Sequence, residues 1–568
     1  MAFLSKKTVL LLLAVLLLLS IVVHYPLVEH ERAQTDSYFI HRLSQSIVDN
    51  GYAKWTFHPL SYLGYYPFSY PSGVPFLLAE LSSMTGLSVE VAILVSNIAF
   101  ALLFCLGVFV LSRQFIRRSE YVLLATFFAL LGPRLVDTSY WVGSARGPVV
   151  VLMTLFVFVS FRGAFLRQNM LFFIAILFGF ACFVTHHMAV LLVVFGVGYL
   201  LAALHSHYIL RHVGAKKRTV AVVGIATMAV VIALAAFSYL GFFRDLVSMN
   251  LERSPYFAVD PPALSMFLNL AVIYTNQIGF ILVIAVLGIP QILGKSRLSI
   301  ETFFPLTILL SFIPLLGNSL YVSMLLTPFV AMFGVFWLAW IHQHSKRKVC
   351  VLLVLGILMG ASLVHPFWSS QRWNSDAYLS GDMVETDNRM FSDARYLASV
   401  TQGVFAISNT NTMSLELSAI SGVDFLGSGL FLVLNGDVAS RDVHDNITWS
   451  TAKFPTNFYV WFEYRNEPNV DSYVLGLMTT GLLSTSSPFN SLEAGNFFSS
   501  HPKLLIIVDN NRPSNFIDQY SILSAKLLVQ VRNAQWQKNS SPADYSPLPS
   551  YAIYQSERIT MFAVELPL

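Results

Sequence analysis

The 568-residue chain is poor in charge. Asp, Glu, Lys and Arg make up 12% of it, whereas 55% is hydrophobic and the mean hydropathy is +0.63. A soluble globular protein carries about 25% charged residues, so that class is excluded and a polytopic membrane protein is expected. Cysteine is scarce as well: Cys105, Cys182 and Cys350 all fall inside apolar runs. That excludes a disulfide framework and a cysteine-based zinc site. Long basic blocks are missing, and the Lys and Arg residues behind the net charge of +4 form short clusters between apolar runs. Nucleic acid is therefore not an expected partner. The opening "MAFLSKKTVLLLLAVLLLLSIVVHYP" has neither the short core nor the small-residue exit of a cleaved leader, so it is expected to form a first span with its N-terminus in the cytoplasm.

Two further absences bear on function. No internal repeat is evident, unlike the inverted repeats of many secondary transporters. Ionisable residues are almost missing from the apolar runs, where a transport pathway would place them near the midplane. A non-catalytic transporter or flippase nevertheless remains the rival class.

What the chain does have is apolar runs. A bilayer core takes roughly 20 residues per helix. Such runs occupy 8–24, 88–112, 119–132, 147–161, 169–185, 187–204, 219–241, 270–293, 301–316, 320–341 and 349–367, about eleven spans. Every second connection is basic: Arg113, Arg117 and Arg118; Arg162 and Arg167; Arg211, Lys216, Lys217 and Arg218; Lys295 and Arg297; Lys346, Arg347 and Lys348. The alternate ones carry Asp36, Asp49, Asp137, Asp245, Glu252 and Asp260. The positive-inside rule fits this alternation.

After Trp368 the composition turns polar, with strand-like runs "KLLIIVD" (503–509) and "RITMFAVEL" (558–566). The expected organisation is a polytopic α-helical membrane domain over 1–368, with external loops 25–87, 133–146 and 242–262. An extracytoplasmic α/β domain over 369–568 follows, in a plasma-membrane protein. Two N-x-[ST] sequons, at Asn446 and Asn539, fit an external domain.

The first external loop begins "TDSYFIHRLSQSIVDNG" (35–51) and continues into "YYPFSYPSGVPFL" (65–77). Phe39, Ile40, Leu43 and Ile47 share one helical face, so this helix is expected on the membrane surface, apolar side down. Asp36 suits a helix N-cap. His41 reads as an interfacial histidine or a base, and Arg42 as a headgroup contact. The pair His186–His187, in "FVTHHMAVLL", falls at an external tip. Adjacent histidines point in different helical directions, so an interfacial turn, a phosphate contact or a proton relay suits them better than a shared metal.

The first loop resembles that of GT-C membrane glycosyltransferases, most closely the oligosaccharyltransferase catalytic-subunit family. There an Asp-x-Tyr-x-x-x-Arg helix precedes an "NG" turn and a "YYP" stretch. Asp36, Tyr38 and Arg42 match that spacing, and "SYAIYQSERITMFAVEL" (550–566) resembles the closing strands of archaeal members. The resemblance implies a catalytic acid at Asp36, with Tyr38 and Arg42 near substrate. It also implies an external polyprenyl-phosphate sugar donor and a glycan, lipid or protein acceptor. In that family the loop corresponding to 242–262 supplies a glutamate, for which Glu252 is the nearest counterpart.

The departures are specific. The family's second acidic pair, G-x-x-D-x-E, is replaced by "GSARG" (143–147), and the W-W-D-Y-G acceptor motif by "AISNTNTMSLELSAISG" (406–422). The arginine usual before the penultimate spans is missing from "GNSLYVSMLLTPFVAMFG" (317–334). Arg146 stands where a metal-binding acid is expected, and guanidinium binds phosphate through a bidentate fork. Arg146 and Arg134 are therefore the expected donor-phosphate ligands, with His186 or His187 as further contacts. Trp141 is placed to stack on a sugar or lie at the interface, while Arg134 and Arg146 could instead face headgroups or pair with Asp137. The pattern favours a metal-independent, inverting transferase. Metal-dependent transfer to protein asparagine, with Mg or Mn held by Asp36, Asp137 and Glu252, stays open, as does a degenerate, non-catalytic binding protein.

Overall fold

The computed structural model describes residues 4–26, 30–31, 35–53, 56–57, 65–66, 71–165, 168–204, 263–293, 300–316, 319–346, 348–375, 388–400, 404–408, 411–426, 503–509, 550–556 and 559–565. The apolar run 219–241, the loop 242–262 with Glu252, and both sequons lie outside them. In chain order the elements begin with α1 (Lys6–His24), α2 (Thr35–Asn50), β1 (Thr56–Phe57), β2 (Tyr65–Tyr66), α3 (Gly73–Thr85) and α4 (Val89–Phe115). Next come α5 (Ser119–Leu130), α6 (Pro133–Ser139), α7 (Arg146–Phe165), α8 (Asn169–Thr185), a 3-10 turn (His187–Leu191) and α9 (Leu192–Leu204). Then follow α10 (Ala263–Ile278), α11 (Ile281–Leu293), α12 (Ile300–Ser311), α13 (Ser319–His344) and α14 (Lys348–Ser375). The chain closes with α15 (Asn388–Val400), β3 (Val404–Ser408), α16 (Asn411–Ser421), β4 (Asp424–Leu426), β5 (Lys503–Asp509), β6 (Ser550–Gln555) and β7 (Ile559–Glu565).

These form two compact units: residues 1–27 with 93–381, and residues 28–92 with 382–568. The first is a helical bundle. Five described helices are long and apolar enough to cross a membrane, and up to seven if each of two bent pairs is one span. Large apolar side chains stay exposed along α1 (Leu10, Leu18), α8 (Phe173, Leu177, Phe180) and α14 (Leu353, Ile357), as hydrocarbon contact requires of an integral membrane protein.

Neither bend is expected from the sequence. The run 270–293 breaks into α10 and α11, which meet at 113° around Gly279, whose φ of +103° only glycine adopts readily. The stretch after α5, expected as loop, turns by 57° into α6. Pro133 opens that helix, where its missing N–H costs nothing. Elsewhere, glycines let helices close up. A Cβ on Gly288 of α11 would stand 2.4 Å from the Phe333 carbonyl oxygen of α13.

In the second unit a five-stranded sheet runs in the order β4-β3-β5-β7-β6. β3 pairs in parallel with β4 and β5, and β7 antiparallel with β5 and β6. The two runs recognised as strands in the sequence are β5 and β7. Met390, Ala394 and Leu397 of α15 pack on Ala406, Leu505, Ile507 and Met561 of the sheet. Asp393 pins this helix to the sheet edge by accepting from Tyr554 Oη at 2.7 Å and Ser556 Oγ at 3.1 Å.

The first-loop helix belongs to this second unit. Periodicity alone lays α2 on the membrane surface, but in the structure α3 and α16 pack against it. Leu43 and Ile47 meet Ala79 of α3, and Tyr38 meets Ala419 of α16. The polar side is covered too: His41 is buried, and its Nδ1 donates to Glu31 Oε1 at 2.7 Å. Glu90, in the first turn of α4, accepts from His30 Nδ1 at 3.0 Å and from the Glu31 N–H at 3.1 Å, and His30 stacks on Phe391.

Burial pushes the Glu31 carboxyl up, opposed by His41. Burial alone would lower the His41 imidazole, yet the Glu31 carboxylate and their hydrogen bond leave it above its ordinary 6.5. With both folded values above the unfolded ones, the folded pair holds more protons than the unfolded chain.

Two expectations follow from this packing. The Glu31 contribution to stability of the second unit is full below pH 4.5 and that of His41 below pH 6.5, and each is lost as the pH rises through the group's raised value. His41→Leu should flatten that dependence and cost about 3 kcal/mol, because it strands a buried carboxylate; urea unfolding across pH checks both. In the bundle, Gly288→Ala should lower stability by about 1–3 kcal/mol through overpacking. Gly356→Ala, where a Cβ meets nothing within 4 Å, should leave the melting temperature unchanged or raise it slightly.

Candidate active site

The bundle's polar residues gather where α6 leads into α7. Arg134 and Asp137, on α6, form a buried ion pair with Nη1 and Oδ2 2.8 Å apart. The pairing weighed in the sequence is thus the arrangement found. The chain then passes Trp141, whose φ of +47° lies in the left-handed region, a strain of about 1 kcal/mol or more for a side chain of this size. The Trp141 side chain is buried. Asn97 of α4 holds the loop by donating its Nδ2 to the Val142 carbonyl at 2.9 Å. The Arg146 N–H donates to Ser144 Oγ at 3.2 Å as α7 begins.

Arg146 lies beside both predicted histidines, around a residue the sequence reading did not single out. Its guanidinium carbon stands 5.7 Å from the centre of the Tyr321 ring at the head of α13. His187 Nε2 is 3.4 Å from the Tyr321 hydroxyl, and the rings of His186 and His187 are 3.9 Å apart. The histidines divide their roles. His186 Nδ1 accepts the Met188 N–H at 2.9 Å and so caps the 3-10 turn. Burial, reinforced by His187 and Arg146, holds His186 well below its ordinary value, and it is neutral. His187 is the histidine that meets Tyr321. Cation, imidazole and phenol therefore converge from three separate segments, which is a chemistry suited to an anion.

Asp36 is the second residue of α2, inside the first helical turn rather than at the cap, where the helix dipole favours a negative charge. Tyr38 is buried, with its hydroxyl donating to the Glu31 carbonyl at 3.4 Å. Arg42 is half-buried beside Gly422, where a Cβ would lie 3.9 Å from its Nη1. Glu31, His30 and Glu90, which fix the approach to α2, were not foreseen. Their charges are ordinary in composition, and only the fold brings them together. Among the described residues no three His, Cys, Asp or Glu side chains gather as metal ligands. The Asp36, Asp137 and Glu252 set is not covered by that statement, since Glu252 lies outside the described residues.

No protein-family model matches the chain, and no curated protein sequence matches it. Solved structures do. The Archaeoglobus fulgidus oligosaccharyltransferase in its apo form aligns with a TM-score of 0.55 at 11% identity, over 94% of this chain and 72% of that one. The same enzyme tethered to an acceptor peptide containing the NVT sequon gives 0.53 at 11% identity, over 93% and 71%. Its complex with Zn and sulfate gives 0.51 at 11% identity, over 92% and 70%. At this identity the likeness is one of fold: the chain shares the fold of the Archaeoglobus fulgidus oligosaccharyltransferase.

Proposed function

We propose that this chain is an integral membrane glycosyltransferase that moves a sugar from a polyprenyl-phosphate donor to an extracytoplasmic acceptor hydroxyl on a glycan, lipid or protein. In this reading the N-terminus is cytoplasmic, about eleven helices span the bilayer, and the 369–568 region is an extracytoplasmic α/β domain. The observation that carries the reading is the Arg146–His187–Tyr321 cluster at the end of the bundle. It lies in a fold shared with an oligosaccharyltransferase.

The reaction runs by inversion. Asp36 takes the proton of the acceptor hydroxyl as its oxygen bonds to the anomeric carbon. The bond from that carbon to the phosphate oxygen breaks, and polyprenyl phosphate leaves with the electron pair. Arg146 meets the charge that develops on the phosphate, with His187 and the Tyr321 hydroxyl as further donors. Arg134 is held to Asp137 and has a weaker claim to the phosphate than the sequence pattern gave it. Trp141, Tyr38 and Arg42 take no proton in this proposal.

A second reading, metal-dependent transfer to protein asparagine, is favoured by the fold likeness to an oligosaccharyltransferase crystallised with an acceptor peptide and with Zn. It is opposed by "GSARG" where the second acidic pair would stand.

Transfer of labelled sugar from polyprenyl-phosphate donors by the purified chain should persist in EDTA and vanish in Asp36→Asn. Loss of transfer in EDTA would overturn the metal-independent scheme. Full transfer by Asp36→Asn would remove Asp36 as the base. Arg146→Gln should lower kcat about 10²–10³-fold, as expected for removing one preorganised charge-stabilising donor.

A further inference from the structure

The two helix breaks in the bundle meet beside α13. At Gly132, which precedes α6, a Cβ would stand 2.9 Å from Thr327 Cγ2 of α13. At Gly279, between α10 and α11, a Cβ would meet Pro133 Cδ at 3.7 Å and His365 Nδ1 of α14 at 4.0 Å. The first residue of α6 therefore lies against the second break.

Along this junction lie polar atoms with no hydrogen-bond partner among the described residues. Gln277, in the last turn of α10, donates its Nε2 to Ser319 Oγ of α13 at 3.3 Å. Its Oε1 is buried and has no hydrogen-bond partner among the described residues. Exchanging the amide oxygen and nitrogen leaves one end of the side chain unpartnered either way. One turn along α13 from Ser319, Ser323 Oγ is buried and equally without a partner, as is His365 Nδ1. Gln277 is 9% exposed and Ser323 fully buried. The next turn brings Thr327, which bonds the Ser323 carbonyl at 2.7 Å and packs on Gly132. Ser323 thus sits between the face of α13 that carries Gln277 and the face on which α6 begins. Buried polar atoms are seldom left unmatched, and broken helices deep in a membrane protein occur where they line a site or are enclosed by protein.

We propose that Gln277, Ser323 and His365 form a subsite for the hydroxyl groups of the donor's glycan head, an inference that rests on the proposed glycosyl transfer. A hydroxyl both donates and accepts, so the hydroxyls of a sugar can satisfy an amide oxygen, a serine or an imidazole nitrogen. An ionised phosphate only accepts, so it cannot serve Gln277 Oε1 in the orientation that donates to Ser319, whereas Arg146 offers it a charged donor. Ordered water is the other source of the same hydrogen-bonding chemistry, and binding measurements separate the two.

The full chain in lipid nanodiscs is titrated with undecaprenyl phosphate and with its glucosyl, galactosyl and mannosyl esters. The native protein should prefer at least one glycosylated lipid by about tenfold, the scale of one net hydrogen bond. Gln277→Leu and Ser323→Ala should each abolish most of that preference. Both should keep native affinity for undecaprenyl phosphate, which shows that the bundle is intact, and a melting temperature no lower than native. A preference unchanged in both variants would overturn the subsite and leave the atoms to water. So would native protein that binds the bare and glycosylated lipids alike. Native protein that binds no lipid phosphate at all would overturn the proposed function, and the subsite with it.

Discussion

Hydrocarbon offers the backbone no hydrogen bonds, so a helix can break inside a membrane only where protein surrounds the break. The bundle is arranged around that requirement. Unbroken helices with apolar outer faces, such as α1, α8 and α14, have lipid-exposed side chains. The short α6 is packed against α7, α10, α13 and α14 instead. Enclosure of α6 makes possible the buried Arg134–Asp137 pair and the strained turn at Trp141. That turn delivers Arg146 to the first turn of α7.

Two arginines close in sequence are held by different chemistry. Arg134 has its carboxylate three residues away on the same helix, a pairing settled by local geometry. Arg146 lies over an aromatic face beside two imidazoles, an arrangement assembled from distant segments. The neutral state of His186 follows from burial and from these neighbouring positive groups. An anion entering there would offset the two positive neighbours but not the burial, which is the larger cause.

The membrane character was legible because it is written in composition, and β5 and β7 because short apolar runs bounded by polar residues are strong local signals. Arg146 and the His186–His187 pair stood out as charges or imidazoles at the ends of apolar runs. Tyr321 did not, since a tyrosine near the start of an apolar helix is unremarkable until a fold sets an arginine against it. The bend at Gly279 was missed because hydropathy averages over a break that keeps both flanks apolar. Burial of α2 was missed for a related reason. An amphipathic helix advertises an apolar face but not what will cover it, and α16, its partner, comes from beyond the whole bundle in sequence.

That separation sets an order of assembly. Synthesis completes α2 early, whereas α16 and the strands that support it emerge last. Until α16 does, Tyr38 lacks its cover by Ala419, and among the described helices α3 is the main support of α2. Newly made chains would therefore hold an unfinished α2 throughout most of translation. Synthesis of α16, well after that of α14, is the event that completes its cover.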